Sequence, residues 1–152
     1  MKIGIASDHR GVYLKRNLIE YLEHAGHKVI NYGTDSIESV DFPDYAFKLG
    51  TGIKKKEIEL GIAICGTGIG MSIALNKMKG IYCAKICNVS EAMFCRSHNN
   101  ANVIAISADI DESLGKAMID KFIETPFSNI DKYIKRNKTK TNKNKRYHSS
   151  IK

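Results

Sequence analysis

Several features that mark other protein classes are scarce or missing in this chain of 152 residues. Tryptophan is absent, only two prolines occur, and no apolar run approaches the roughly 20 residues that span a bilayer. The sequence opens directly on an apolar segment, residues 2 to 6, without a charged region ahead of a signal core. We therefore expect neither a signal peptide nor a membrane span, and we expect a cytoplasmic protein.

Four cysteines are present, and a hydrophobic content of 43% is enough for one packed domain without disulfides, so we interpret them as reduced thiols. Cys83, Cys87, Cys95 and His98 form a C-x3-C-x7-C-x2-H series. Structural zinc sites usually hold their ligands in short knuckles, whereas Cys83 falls in a predicted strand and Cys95 in a predicted helix. We expect no metal ion.

The net charge of +8 is concentrated at the C-terminus, where nine of the 24 Lys and Arg residues lie between Lys132 and Lys152 with no acid among them. The other fifteen bases face sixteen acids, so residues 1 to 131 carry a net charge of −1. We expect a domain over residues 1–136, including a C-terminal helix, and a basic, solvated or disordered tail over residues 137–152. The tail lacks the interleaved aromatics of a stacking surface, so nucleic-acid binding is not expected.

Hydrophobic periodicity predicts alternating strands and helices along the domain. The predicted strands cover residues 2–6, 28–32, 60–64, 81–86 and 103–107, and the predicted helices cover residues 12–25, 44–54, about 71–79, 91–97 and 112–123. This order favours an α/β fold, a three-layer α/β/α sandwich with a five-stranded parallel Rossmann-like sheet. In such sheets ligands bind beyond the carboxyl ends of the strands.

The segment from Cys65 to Gly70 reads Cys-Gly-Thr-Gly-Ile-Gly, directly after the third predicted strand and before a helix. Glycines allow backbone N–H groups to approach a ligand, and a helix N-terminus adds positive potential. The same field would favour a thiolate at Cys65. The segment therefore predicts a site for developing negative charge. A nicotinamide site is not expected, because the glycines read G-x-G-x-G and no acidic residue stands near position 86 to hold a ribose.

Two further polar groups lie near strand ends. Ser7, Asp8, His9 and Arg10 follow the first strand, at the same sheet edge as Cys65. His98 and Asn99 precede the fifth strand and belong to the opposite edge, from which they would reach the site only across a subunit interface or through irregular helix geometry. We therefore expect an oligomer.

Taken together, these motifs resemble those of the type B ribose-5-phosphate isomerases, a family that includes galactose-6-phosphate and allose-6-phosphate isomerases. The resemblance covers about residues 1 to 127. It rests on Ser-Asp-His at 7–9, Phe-Pro-Asp-Tyr at 42–45, Ile-Cys-Gly-Thr-Gly-Ile-Gly-Met-Ser-Ile-Ala at 64–74, Asn-Lys at 76–77, and His98-Asn99 with Asn102-Val103. It implies a homodimer, possibly a tetramer, with interface active sites and cofactor-free interconversion of aldose and ketose phosphates.

The resemblance also implies roles for individual residues. Cys65 would be the base that moves a carbon-bound proton, His98 would open the cyclic sugar, and Thr67 would help to stabilise the oxyanion. The remaining residues that would contact the substrate are Asp8, His9, Gly66, Gly68, Ile69, Gly70 and Asn99.

The chain departs from the family where the substrate phosphate is bound. Family members carry an arginine just after the fifth strand and two in a Gly-Gly-Arg-His-x-x-Arg segment. Here the first place reads Ser-Ala-Asp at 107–109, and the second reads Ser-Asn-Ile-Asp-Lys-Tyr-Ile-Lys-Arg from residue 128. Arg10 and Lys135 are the candidate replacements, with Lys132 and Arg136 as further possibilities, although a lysine lacks the two-point grip of an arginine. Phe42 stands where a tyrosine is common.

Each assignment has a plainer alternative. Cys65 is equally compatible with an ordinary buried cysteine, His9 with a helix cap or a partner of Asp8, and His98 with a helix C-terminal residue. Asp8 and Asn99 are also common turn residues. The sequence favours an isomerase of ribose 5-phosphate, with a six-carbon sugar-phosphate isomerase or a non-catalytic sugar-phosphate-binding subunit as alternatives.

Overall fold

The structure, a computed structural model, describes the backbone of residues 1 to 149 and the side chains of residues 1 to 141. Strands and helices alternate along the chain, with a short 3-10 turn at His9–Gly11. They are β1 (Lys2–Ser7), α1 (Val12–His24), β2 (Lys28–Asn31), α2 (Phe42–Lys54), β3 (Leu60–Cys65), α3 (Ile69–Asn76), β4 (Cys83–Lys85), α4 (Val89–Ser97), β5 (Val103–Ser107), α5 (Glu112–Glu124) and α6 (Asp131–Ser149).

The five strands form one parallel sheet in the order β2-β1-β3-β5-β4, which confirms the α/β fold expected from the sequence. Two apolar clusters cover its faces. One joins β1, β3 and β5 to α1, α4 and α5, and the other joins the same strands to α2 and α3. The sheet is therefore the middle layer of three.

Side-chain alternation along β3 decides where its last residue points. Ile62 and Ile64 belong to the cluster under α1 and α5, whereas Ala63 and Cys65 belong to the cluster under α2 and α3. The fold therefore directs the Cys65 thiol toward the layer that contains α3.

Several element boundaries differ from the sequence prediction. α2 begins at Phe42, two residues early, because Pro43 fits the first turn of a helix. α3 begins at Ile69, directly after Gly68, which adopts a left-handed conformation with φ of 79°. β4 is shorter than expected, since it pairs only with β5 at the sheet edge.

α6 extends past the expected domain boundary at residue 136 and continues to Ser149. A disordered tail was expected from residue 137, yet the first part of this segment packs on the domain. The Asn137 side chain donates to the carbonyl oxygen of His98, and Lys140 donates to that of Asn99. Residues 150 to 152 of the expected tail lie outside the described residues, and the division into domain and tail stays a prediction.

Within residues 1 to 149, no helix combines the length and apolar character needed to cross a membrane.

Candidate active site

Cys65 ends β3 with its side chain 4% exposed. Its Sγ atom accepts a hydrogen bond from the backbone N–H of Gly68 at 3.2 Å, just before the first turn of α3. Gly68 is required here on two grounds, because its φ is left-handed and because a Cβ would lie 3.0 Å from the backbone carbon of Ile106. The thiol therefore faces a backbone donor at a helix N-terminus, where negative charge on sulfur is stabilised.

The loop after β3 is tied to the end of β5. Ser107 Oγ donates to the carbonyl oxygen of Gly66 at 2.7 Å and accepts from the N–H of Asp109 at 3.1 Å. Ala108 N donates to the carbonyl oxygen of Cys65 at 2.8 Å. These bonds hold the backbone around the thiol in one conformation.

The rest of the glycine segment, from Thr67 to Gly70, leads into the first turn of α3. Thr67 is exposed, and its Oγ1 accepts from the N–H of Ile69 at 3.1 Å. Ile69 exposes its side chain, whereas Gly70 lies against the ring of Phe42, which would come within 2.8 Å of a Cβ. Phe42 therefore forms an apolar wall beside this turn.

The end of β1 brings Asp8, His9 and Arg10 to the same sheet edge as Cys65. Asp8 is buried, and its carboxylate accepts from the N–H of Arg10 at 2.9 Å. His9 Nδ1 accepts from the N–H of Val40 at 3.2 Å, so the neutral ring carries its proton on Nε2. Nε2–H is then available as a donor to a ligand.

Arg10 extends over the loop after β3. One of its terminal nitrogens lies 3.6 Å from the position that a Cβ on Gly66 would take, and another donates to Asp109 Oδ2 at 3.3 Å. The two side chains are 56% and 73% exposed, so the ion pair is accessible to an incoming anion. Asp109, in the stretch where the family carries an arginine, holds Arg10 beside the thiol loop.

His98 and Asn99 lie elsewhere, at the end of α4. Together with α6 they line a cavity of about 220 Å³, whose other residues are Tyr133, Arg136, Asn137 and Lys140. The His98 ring stacks on the Tyr133 ring with centroids 4.2 Å apart and an interplanar angle of 14°. Lys135 is exposed on α6 and does not line this cavity.

Three residues of this cavity were missed by the sequence analysis: Tyr133, Asn137 and Lys140. Their spacing of four and three residues places them on one face of a helix, a signal that was available had the helix been extended past residue 136.

Within one chain the two groups lie at opposite ends of the sheet. Cys65 pairs with Ser107 at the carboxyl end of β5, and Gly61 pairs with Val103 at its amino end. The four strand steps from Gly61 to Cys65 span roughly 13 Å, and His98 precedes Val103 by a further five residues. One chain therefore does not bring His98 to Cys65.

The three cysteines that were weighed as zinc ligands differ in exposure: Cys95 is buried, Cys83 is half-buried and Cys87 is exposed. Burial raises the pKa of Cys83, and it raises the pKa of Cys95 to about 11. In the part of the chain that the structure describes, no three His, Cys, Asp or Glu side chains converge on a point where a metal ion would fit.

The family model described as Ribose/Galactose Isomerase matches residues 3–141. A putative sugar phosphate isomerase of Rickettsia bellii (strain RML369-C) is 44% identical over 126 residues, which are 82% of this chain and 88% of that protein.

Solved structures are similar over nearly the whole chain. Ribose-5-phosphate isomerase B of Clostridium thermocellum gives a TM-score of 0.92 at 38% identity, covering 97% of this chain and 99% of that one. Ribose-5-phosphate isomerase B of Mycoplasma genitalium, solved with bound ribulose-5-phosphate, gives a TM-score of 0.89 at 33% identity and covers 95% of this chain and 96% of that one. The chain therefore belongs to the ribose/galactose isomerase family, and it is a sugar-phosphate isomerase.

Proposed function

We propose that this enzyme interconverts ribose 5-phosphate and ribulose 5-phosphate through a cis-enediolate, with Cys65 as the base. The observation that carries the proposal is the buried Cys65 Sγ, which accepts the Gly68 N–H at 3.2 Å beside the N-terminus of α3. A thiolate in this position takes the proton from C2 of the open-chain aldose. The negative charge moves to the oxygen on C1, and a proton then passes from the C2 hydroxyl to that oxygen. The thiol returns its own proton to C1 as the carbonyl forms on C2.

The glycine segment supplies donors to the charge that develops. Backbone N–H groups between Gly66 and Gly70 other than those already given to Cys65 and Thr67, together with the Thr67 hydroxyl, would donate to the enediolate oxygens. Such preorganised donors typically contribute about 10²- to 10³-fold in rate. Asp8 and Asn99 would bind sugar hydroxyls. The proposed donors lie on a loop that Ser107 and Ala108 hold in place, so little reorganisation accompanies the reaction.

His98 opens the sugar ring in this scheme. A cyclic aldose has no carbonyl, so a proton must leave the anomeric hydroxyl and another must reach the ring oxygen before Cys65 acts. An imidazole suits this exchange because it gives and accepts protons near neutral pH. The cavity beside His98 and Asn99 offers space for that end of the substrate.

For the phosphate we propose His9 and Arg10 at the thiol edge, with cations of α6 beside His98. His9 presents Nε2–H, and the Arg10 guanidinium lies over Gly66. Lys135 was the α6 candidate from the sequence. Arg136 and Lys140 are now the better supported ones, because they line the cavity with His98 whereas Lys135 does not.

The separation of Cys65 from His98 supports a homodimer in which each site uses both chains. Large apolar side chains stay exposed both on α3, beside the thiol, and on α4, beside His98: Ile69 and Ile73 are 53% and 57% exposed, and Phe94 is 46% exposed. A second copy that brings its His98 toward Cys65 would cover the first group with the surface that carries the second. Assembly of such dimers into tetramers and a cytoplasmic location stay predictions.

A substrate panel tests the proposed function. The purified protein, treated with chelator, is given ribose 5-phosphate, allose 6-phosphate and galactose 6-phosphate in parallel, with the Cys65→Ala variant as the matched control. We expect turnover of the five-carbon substrate by the wild type and a loss of at least about 10²-fold in the variant, the size of a general-base contribution.

Other outcomes of this substrate panel would support one of the alternative functions. Turnover of a six-carbon substrate alone would replace ribose 5-phosphate as the substrate and keep the chemistry. Binding of all three without turnover would make the chain a non-catalytic subunit. Near-normal turnover by a well-folded Cys65→Ala variant would remove Cys65 as the base.

A further inference from the structure

The corner that carries His98 is held by the C-terminal segment at three consecutive carbonyl groups. Ser128 Oγ donates to the carbonyl oxygen of Ser97 at 2.7 Å, Asn137 Nδ2 to that of His98 at 2.8 Å, and Lys140 Nζ to that of Asn99 at 2.8 Å. Carbonyl groups at a helix C-terminus lack intrahelical partners, so these bonds satisfy the end of α4. The backbone position of His98 therefore depends on residues 128 to 140.

The imidazole of His98 is held by two aromatic side chains, one from α4 and one from α6. Phe94, one turn earlier on α4, lies with its centroid 4.9 Å from the ring at a tilt of 32°. Tyr133 of α6 stacks at 4.2 Å with an angle of 14°. Near-parallel stacking at this distance restricts rotation of the ring about its side-chain bonds.

The helix that supplies Tyr133 is itself held against the domain. Asn137 donates also to the carbonyl oxygen of Tyr133, Lys140 lies 3.9 Å above the Tyr82 ring, and the Tyr82 hydroxyl bonds to Thr141 at 2.7 Å. Tyr82 precedes β4, so these contacts connect α6 to the sheet. Partial burial of the ammonium in this contact lowers the pKa of Lys140.

We infer that α6 positions His98 for ring opening, with Tyr133 as the positioning residue and Asn137 and Lys140 holding the backbone of the same corner. This inference rests on the proposed function, because it assigns Tyr133 an effect that passes through His98. It also gives a role to the first residues of the basic segment, which the sequence analysis assigned to a solvated tail. Tyr133 need not touch the substrate.

A double-mutant cycle tests the inference. Tyr133→Leu should lower turnover of ribose 5-phosphate by about 2- to 12-fold, the factor equivalent to one aromatic pair, while Tyr133→Phe should retain it. In a His98→Ala background, Tyr133→Leu should change turnover by less than about 2-fold, because residues that act through one group are not additive. Full additivity in a folded protein would overturn the inference.

An open-chain substrate gives a second readout. Ribose 5-phosphate closes to a furanose through its C4 hydroxyl, so the 4-deoxy analogue stays open-chain and its conversion does not begin with ring opening. Tyr133→Leu and His98→Ala should both lower kcat/KM for ribose 5-phosphate more than kcat/KM for this analogue. Equal losses on both substrates by Tyr133→Leu would contradict a role through His98.

Lys140→Ala and Lys138→Ala form a matched pair for the backbone contacts. Both remove one positive charge from α6, but only Lys140 donates to the carbonyl oxygen of Asn99. We expect the Lys140 variant to lower turnover of ribose 5-phosphate more than turnover of an open-chain analogue that lacks the C4 hydroxyl, a difference that loss of a phosphate contact would not produce. The Lys138 variant should match the wild type on both substrates. Equal losses would show a general charge effect and contradict positioning of the corner.

An NMR measurement separates this inference from the proposed function. The stacked Tyr133 ring shifts the His98 ring protons upfield, and His98→Ala identifies their signals. We expect the shift to vanish in Tyr133→Leu and to persist in Tyr133→Phe, whether or not ribose 5-phosphate is the substrate. An unchanged His98 signal in Tyr133→Leu would overturn the inference, whereas absent turnover by the wild type would overturn only the proposed function.

Discussion

Substitution of Gly68 by alanine tests the geometry of the thiol loop. Gly68 and Gly26 both have left-handed φ, 79° and 89°, so an added Cβ strains either backbone by about 1–2 kcal/mol. At Gly26 nothing lies within 4 Å of that Cβ. At Gly68 the added Cβ would lie 3.0–3.2 Å from three backbone atoms of Ile106. Ile106 belongs to a buried strand that cannot move aside, so this overlap adds about 1–3 kcal/mol to the cost of the substitution.

We therefore expect Gly68→Ala to lower the free energy of unfolding by about 2–5 kcal/mol and Gly26→Ala by about 1–2 kcal/mol. Relief of the clash also moves the Gly68 N–H away from Cys65 Sγ, and a displacement near 1 Å at a reacting group reduces turnover by about 10²-fold. Gly26→Ala should leave turnover unchanged. Denaturant unfolding and isomerase assays on both variants measure the two effects.

The reasoning fails if Gly68→Ala is no less stable than Gly26→Ala, since the contact with Ile106 would then carry no strain. It fails also if the folded Gly68→Ala variant isomerises its substrate at the wild-type rate, because the Gly68 N–H would then be dispensable to Cys65.

Two further predictions concern buried groups. The ammonium of Lys15, 1% exposed, bonds to Asp35 and lowers the pKa of that carboxyl. The carboxylate is itself 75% exposed and Lys15 also donates to Asn31, so Asp35→Asn should reduce stability by only about 0.5–1 kcal/mol near pH 7. Because folding lowers the pKa of Asp35, its contribution to the free energy of unfolding is present above the ordinary carboxyl pKa range and is lost as pH falls through the lowered value. A difference in unfolding free energy between wild type and variant that does not shrink below about pH 4 would contradict this prediction. Burial raises the pKa values of Cys83 and Cys95, so iodoacetamide at pH 8 should alkylate the exposed Cys87 well before either of them. Peptide mass spectrometry measures the three alkylation rates, and equal rates in the folded protein would contradict the burial of Cys83 and Cys95.

The fold could be predicted from the sequence because its elements are locally encoded. Short apolar runs, each separated by an amphipathic helix, leave a parallel sheet as the arrangement that buries both faces. The thiol loop was likewise visible, since Cys65 and Gly68 are neighbours in sequence and the left-handed glycine marks the start of α3.

The remainder of the site depends on contacts between distant parts of the chain. Asp109 lies in the stretch where the family carries an arginine, and its pairing with Arg10 depends on the sheet, which brings two distant loops together. The role of Tyr133 and Asn137 was hidden because a Lys- and Asn-rich composition indicates solvation, whereas packing against His98 stabilises the helix. Composition describes average behaviour and does not report such individual contacts.

The most direct test of the central claim, a site made by Cys65 of one chain and His98 of another, is complementation between two inactive variants. Cys65→Ala and His98→Ala are each purified, unfolded and refolded together, and ribose 5-phosphate turnover is compared with that of each variant refolded alone. In a random mixture, half of the dimers are mixed and each has one intact site, so the account predicts recovery of about a quarter of the wild-type activity. Activity that stays at the level of the separate variants, in a mixture shown to contain mixed dimers, would contradict a site shared between chains.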